Sequence, residues 1–127
     1  MAPAAAECND PVMPSVLIVD DHASFRATAR ELLEAEGFEV VGEAADGRSA
    51  LEAAGRLEPD VILLDVYLPD TDGFETASQL LATNGSAVIL TSSRDGSDFG
   101  SLVRKSGARG FVPKAELSWA SLTALLG

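Results

Sequence analysis

Carboxylates follow directly after two apolar runs of this 127-residue chain. Asp20 and Asp21 come after Val-Leu-Ile-Val, and Asp65 comes after Val-Ile-Leu-Leu. Two carboxylates about 5 Å apart repel each other by roughly 3 kcal/mol at an effective dielectric constant of about 20, so a shared pocket needs a positive charge. Oxygen ligands favour Mg2+, because Zn2+ prefers histidine or cysteine and the chain offers only His22 and Cys8.

Two further apolar runs end in side chains that suit phosphate chemistry. Thr91 follows Ala-Val-Ile-Leu, and Lys114 follows Gly-Phe-Val-Pro. A carboxylate nucleophile at Asp65, a divalent cation and these two donors are the parts that phosphoryl transfer requires. The sequence therefore predicts that Asp65 becomes an acyl phosphate, with Thr91 and Lys114 binding the phosphoryl oxygens.

The elements that position these residues alternate between strands and helices. Nearly continuous runs of Val, Ile and Leu indicate strands that helices bury on both faces. We expect an α/β fold, namely a three-layer, doubly wound, five-stranded parallel sheet in the flavodoxin-like order 2-1-3-4-5. That order places the first and third strands side by side, so the carboxylates meet at one sheet edge. Helical periodicity predicts helices at about residues 23–36, after Asp46-Gly47, after Asp72-Gly73, and at about 97–105 and 118–126.

Composition limits the classes of function. Twenty acidic and nine basic residues give a net charge of -11, which disfavours direct binding to nucleic acid or to an anionic membrane. No apolar run is long enough to span a membrane, and the first residues lack the features of a signal peptide. We therefore expect a cytoplasmic protein with a flexible N-terminal segment, residues 1–14, and one domain over residues 15–127.

These motifs resemble the receiver domain of two-component response regulators. The resemblance covers about residues 15–126 and includes the acidic pair Asp20-Asp21, Asp65 within Val-Ile-Leu-Leu-Asp-Val-Tyr-Leu-Pro-Asp-Thr-Asp-Gly, Thr91, and Lys114 within Gly-Phe-Val-Pro-Lys. The sequence Gly-Phe-Val-Pro-Lys-Ala-Glu-Leu is similar to the receivers of helix-turn-helix transcriptional regulators.

The resemblance implies a role for each matching residue. Asp65 is implied as the phosphoacceptor and as a Mg2+ ligand. Asp21 is implied as a direct ligand of Mg2+, Asp20 as a ligand acting mainly through water, and the main-chain carbonyl of Tyr67 as a further ligand.

The resemblance also implies a switch and partners. Thr91 and Phe111 match the family's switch pair, in which the hydroxyl moves toward the phosphoryl group and the ring rotates inward. The implied phosphoryl donor is a histidine kinase or a histidine phosphotransfer protein. An output domain or target protein is expected on the face of the fourth helix, fifth strand and fifth helix, and a homodimer is a further candidate assembly. The module is expected to assist only its own phosphorylation and dephosphorylation.

Two other functions stay open at this point. A haloacid-dehalogenase-like phosphatase also uses a strand-end aspartate, Mg2+ and lysine, but it needs a second aspartate two residues after the nucleophile, where this chain has Tyr67. A receiver-like module that works without phosphorylation is the other alternative. His22 is predicted to pack beside the pocket at a helix entry without a catalytic role.

Overall fold

The computed structural model describes residues 14–83, 85–93 and 100–126. The predicted flexible segment lies outside these ranges except for Pro14, as do residues 97–99 of the predicted fourth helix. The elements in chain order are β1 (Ser15–Val19), α1 (Ala23–Ala35), β2 (Glu39–Ala44), α2 (Gly47–Leu57), β3 (Val61–Asp65), α3 (Gly73–Thr83), β4 (Ala87–Ser92), α4 (Gly100–Ser106), β5 (Gly110–Pro113), a 3-10 turn (Lys114–Glu116) and α5 (Trp119–Leu126).

The five strands form one parallel sheet in the order β2-β1-β3-β4-β5. The predicted order 2-1-3-4-5 is therefore confirmed. The register sets Val19 beside Leu64, so the next residues, Asp20 and Asp65, lie at the same sheet edge. Asp65 pairs with Thr91 on the other side. The carboxyl ends of three adjacent strands thus meet where the sequence places its polar side chains.

Helices cover both faces of the sheet, and alternate strand residues therefore belong to two separate apolar clusters. Leu17, Ile62 and Leu90 belong to the cluster that packs under α2, α3 and α4. Ile18 and Leu63 belong to the cluster under α1 and α5. This double burial explains the continuous apolar runs. None of the helices in the described ranges has the length and apolar character that crossing a bilayer requires.

The start of α3 lies unusually close to the end of β3. A Cβ atom on Gly73 would lie 2.4 Å from the main-chain oxygen of Asp65 and 2.6 Å from the Cα of Val66. By contrast, a Cβ on Gly55 in α2 would meet nothing within 4 Å. The absence of a side chain at Gly73 therefore lets α3 approach the sheet edge that carries Asp65.

Alanine at these two glycines is expected to have opposite effects on stability. Gly73→Ala should lower the free energy of unfolding by about 1–3 kcal/mol, because backbone atoms must move to admit the methyl group. The matched variant Gly55→Ala should raise it by about 0.5–1 kcal/mol, because alanine is the better helix former at an open position. Urea unfolding measures both values. Equal stability of Gly73→Ala and the wild type would contradict the close approach.

Candidate functional site

Three carboxylates meet at the carboxyl edge of the sheet. Asp20 and Asp65 are buried, whereas the Asp21 side chain is 37% exposed. One ligand atom from each of them and one from His22 lie within 4.8 Å of one another. The structure thus brings together the acidic residues that the sequence placed after β1 and β3.

Lys114 bridges the two buried carboxylates. Its Nζ atom lies 2.6 Å from Oδ2 of Asp20 and 3.4 Å from Oδ2 of Asp65. The ammonium group also lies over the ring of Phe25, 4.3 Å from the ring centroid. The lysine at the end of β5 therefore reaches across the pocket and partly compensates its negative charge.

The pKa values of the two buried carboxyl groups are shifted in opposite directions. Burial raises the pKa of Asp65 to about 6, and the negative charge of Asp20 adds to this effect, against the opposing Tyr67 N–H and Lys114. Burial also disfavours the ionised form of Asp20, but Lys114 and the His22 N–H outweigh it and lower the pKa of Asp20. Asp20 therefore ionises before Asp65 as the pH rises, and the charge of Asp20 makes ionisation of Asp65 less favourable.

A divalent cation fits this arrangement. Among the described residues, the one buried side-chain nitrogen or oxygen atom without a hydrogen-bond donor is Oδ2 of Asp20. Its close neighbour is the Lys114 ammonium, which forms an ion pair with it at 2.6 Å and is shared with Asp65. Three carboxylates thus share the Lys114 ammonium, and the partly exposed Asp21 leaves room for water. Hard carboxylate oxygens and retained water are the features that Mg2+ prefers.

Thr91 and Phe111 lie in β4 and β5, the two strands that follow β3 across the sheet. Thr91 is fully buried, and its hydroxyl donates a hydrogen bond of 2.6 Å to the main-chain carbonyl of Val112 in β5. Phe111 is half-buried and packs against the apolar cluster under α2, α3 and α4. The structure therefore places the hydroxyl next to the strand end of Asp65, with its proton directed at the neighbouring strand.

The loop between β3 and α3 carries Tyr67. The Tyr67 N–H donates to Oδ1 of Asp65 at 3.1 Å, and the tyrosine is 51% exposed. The Gly73 N–H donates to the carbonyl of Val66 at 2.8 Å, which closes the loop at its base. The Tyr67 backbone thus lies directly beside the Asp65 carboxylate.

Sequence reasoning missed Asp70 in the same loop. Its carboxylate accepts hydrogen bonds from the N–H groups of Gly47 at 2.8 Å and Arg48 at 3.1 Å, at the amino end of α2. A carboxylate is stabilised there by the unpaired N–H groups of the first turn. The loop that carries Tyr67 is thereby tied to a second helix.

Sequence reasoning also missed Arg26, whose side chain is 19% exposed. Its Nη1 donates a hydrogen bond of 2.5 Å to the main-chain carbonyl of Asp20, and its Nε donates to Glu43 at 3.0 Å. Arg30 donates to the other oxygen of Glu43 at 2.8 Å. The only signal in the sequence is a basic residue directly after Phe25 on the apolar stripe of α1. Arg26 therefore fixes the backbone of a carboxylate that faces the pocket.

Loss of Arg26 is expected to weaken metal binding. Arg26→Gln should lower the affinity for Mg2+ about tenfold, because an outer partner that holds Asp20 in place is removed. Arg30→Gln is the matched control, since Arg30 contacts Glu43 and not Asp20, and it should change the affinity less than about twofold. Isothermal titration calorimetry measures both. Equal losses in the two variants would show that the contact with Asp20 has no special role.

This chain is similar to known response regulators. The family model described as Response regulator receiver domain matches residues 16–125. The nitrate/nitrite response regulator protein NarP of Escherichia coli is 44% identical over 102 residues, covering 78% of this chain and 47% of that protein. The transcriptional regulatory protein PdtaR of Mycobacterium tuberculosis is 34% identical over 99 residues, covering 78% of this chain and 48% of that protein.

A solved receiver-containing structure is also similar to this chain. The crystal structure of a two-component response regulator of the LuxR family from Aurantimonas matches with a TM-score of 0.80 and 30% identity, covering 91% of this chain and 86% of that one. This chain spans about half the length of the curated relatives that it matches.

Proposed function

Because the chain belongs to the response regulator receiver family, we propose that it is the phosphoacceptor module of a two-component system and accepts a phosphoryl group on Asp65. The observation that supports this most is the position of Asp65. It is a buried carboxylate at a strand end, next to Asp20 and Lys114 and paired in register with Thr91. A nucleophile, a cation site and two phosphate-binding side chains therefore converge on one point.

Mg2+ is the proposed cofactor. Asp20, Asp21, Asp65 and the main-chain carbonyl of Tyr67 are the proposed ligands, with Asp20 acting mainly through water. When bound, the ion supplies positive charge that offsets the carboxylates and the incoming phosphoryl oxygens.

Side chains of this chain carry out the phosphoryl transfer. An oxygen of Asp65 forms a bond to phosphorus while the bond from phosphorus to the donor's histidine nitrogen breaks. Lys114 already contacts Asp65, so its Nζ is placed to bind a phosphoryl oxygen there. Thr91 gains access to the phosphoryl group by exchanging its hydrogen bond to Val112 for one to a phosphoryl oxygen. Phosphorylation then needs no new fold, only local rearrangement of these groups.

The proposed output is a shift between two conformations of one face. Rotation of the Thr91 hydroxyl toward the pocket would let the half-buried Phe111 ring move inward. Both residues lie in β4 and β5, next to α4 and α5, so the α4-β5-α5 face would report phosphorylation.

The proposed partners follow from the family. A histidine kinase or histidine phosphotransfer protein supplies the phosphoryl group, and an output domain or target protein binds the α4-β5-α5 face, with homodimerisation as one form of output. Because this chain spans about half of relatives such as the transcriptional regulatory protein PdtaR, a transcriptional output domain is the proposed target. The module acts in the cytoplasm and catalyses only its own phosphorylation and dephosphorylation.

The proposed reaction is testable with a small-molecule donor. Incubation with acetyl phosphate and Mg2+ is expected to add one phosphoryl group, seen by intact-protein mass spectrometry and lost on treatment with hydroxylamine. Removal of divalent ions with EDTA should abolish the adduct, because the Asp20 and Asp65 charges then repel the phosphoryl oxygens. An adduct that forms equally in EDTA would contradict the metal requirement.

The phosphatase alternative lacks a general acid at the expected position. Tyr67 occupies the place two residues after the nucleophile, and its side chain stands half exposed to solvent. Sustained turnover of p-nitrophenyl phosphate would revive that alternative. Equal affinity for a target with and without beryllofluoride would favour the module that works without phosphorylation.

A further inference from the structure

His22 lies at the entry to α1 beside the pocket, as the sequence predicted, but its ring is not packed against the protein. Its ring is 66% exposed, and its Nδ1 faces both members of the acidic pair. Nδ1 lies 3.0 Å from Oδ1 of Asp20 and 3.1 Å from Oδ1 of Asp21. The His22 N–H also donates to Oδ1 of Asp20 at 2.8 Å, which fixes the backbone that carries the ring. The only histidine of the chain is thus held at the acidic pocket.

These separations match those of donors around a single ion. Adjacent ligands of an octahedral ion with metal–donor distances of about 2.1 Å lie about 3.0 Å apart. The three donor atoms of Asp20, Asp21 and His22 have this spacing on the two edges that His22 shares. The fully buried Oδ2 of Asp20 has an ion pair with Lys114 but no hydrogen-bond donor, and the Lys114 ammonium is shared with Asp65, so three carboxylates face one shared ammonium group.

Imidazole nitrogen changes which ions such a site prefers. Mg2+ favours oxygen ligands and gains little from a nitrogen donor, whereas Co2+, Ni2+ and Zn2+ bind imidazole well. We propose that His22 joins Asp20 and Asp21 as a ligand of first-row transition dications, giving the pocket a mixed nitrogen and oxygen site for Co2+, Ni2+ or Zn2+. Without an ion, Nδ1 lies within hydrogen-bond distance of Oδ1 of Asp20. Binding an ion requires the neutral ring with its proton on Nε2, so that the Nδ1 lone pair is available to the ion.

This inference rests on the proposed function insofar as both use Asp20 and Asp21. It differs in its ligand set, because His22 has no part in the proposed Mg2+ site. A chain that binds both classes of ion would hold them in competition for the same two carboxylates. Measurements on Mg2+ and on a transition ion therefore separate the two proposals.

Calorimetry on His22→Gln tests the inference, with Ni2+ and Mg2+ titrated separately. The variant should lose about tenfold or more in Ni2+ affinity, while its Mg2+ affinity stays within about twofold of the wild type. Ser24→Ala, an exposed change two residues further on, is the matched control and should leave both affinities unchanged. Unchanged Ni2+ affinity in His22→Gln would overturn the inference. Equal losses for both ions would also overturn it, since His22 would then only position Asp20.

A second measurement does not depend on a variant. Because the chain has one histidine, its imidazole signals in an NMR spectrum are unambiguous. Substoichiometric Co2+ should give the imidazole nuclei a contact shift, which requires a direct bond, over and above the through-space pseudocontact shift that any nearby Co2+ produces. Co2+ that binds without such a shift would overturn the inference. If Mg2+ binding and phosphorylation fail while the Co2+ shift appears, the proposed function is wrong and the His22 site stands.

Discussion

Asparagine in place of Asp65 is expected to reduce phosphoryl incorporation from acetyl phosphate at least about a hundredfold, because an amide oxygen is a far weaker nucleophile than a carboxylate. Asp20 and Asp65 are both buried beside Lys114, but Asp65 is the one that also pairs in register with Thr91. The expected loss is therefore one of chemistry and not of folding. Intact-protein mass spectrometry over a time course measures the rate.

The same chemical change at the opposite edge of the sheet provides the control. Asp60 is exposed at the amino end of β3, where its carboxylate binds Ser15. Asp60→Asn should keep the wild-type labelling rate. Full labelling of Asp65→Asn would assign the phosphoacceptor to another residue, and the fold and metal site would then need a different function.

Asp65→Asn is also expected to stabilise the protein without metal, by about 1–3 kcal/mol above pH 7. The pKa of Asp65 is raised from an ordinary value of 3.8 to about 6 in the folded protein. The folded state therefore holds this proton more tightly than the unfolded state does. Ionisation of Asp65 costs stability as pH rises from about 4 to about 6, and the cost stays constant above that range.

Thermal unfolding in EDTA at a series of pH values measures this difference. The melting temperature of Asp65→Asn should exceed that of the wild type by several degrees at pH 8, and the gap should close near pH 4. Saturating Mg2+ should narrow the gap at pH 8, because the ion binds the folded wild type and offsets the repulsion between Asp65 and Asp20. A wild type that is the more stable protein at pH 8 in EDTA would show that Lys114 already compensates Asp65 fully.

The fold was predictable because its signals are local in sequence. Continuous apolar runs indicated strands buried on both faces, and the rules for parallel sheets left few orders to consider. The polar residue after each run then had to lie at the carboxyl edge, which is why Asp20, Asp65 and Thr91 were found without coordinates. Within the described ranges β4 continues through Thr91 and Ser92, because the ladder to β5 extends to Pro113.

The contacts that hold the site in place were not predictable in the same way. Arg26 reaches the Asp20 carbonyl, and Asp70 reaches the amino end of α2, through side-chain conformations that only the packed structure selects. The orientation of the His22 ring was also not predictable from the sequence. Its place at a helix entry predicted a ring packed beside the pocket, and the structure keeps it beside the pocket but leaves the ring largely exposed, with Nδ1 toward the carboxylates. Spacing along the chain identifies which residues converge and leaves open how each is held.

Hydrogen bonds hold the loop after β3 more firmly than the opposite side of the pocket is held. Asp70 anchors that loop to α2, and the bond from Gly73 to Val66 closes it, so this flank resists displacement. The opposite flank is linked through the Thr91 hydroxyl, whose bond to the Val112 carbonyl a simple rotation can exchange. A structural change at Asp65 would therefore be transmitted mainly toward β5, because the loop after β3 is held in place.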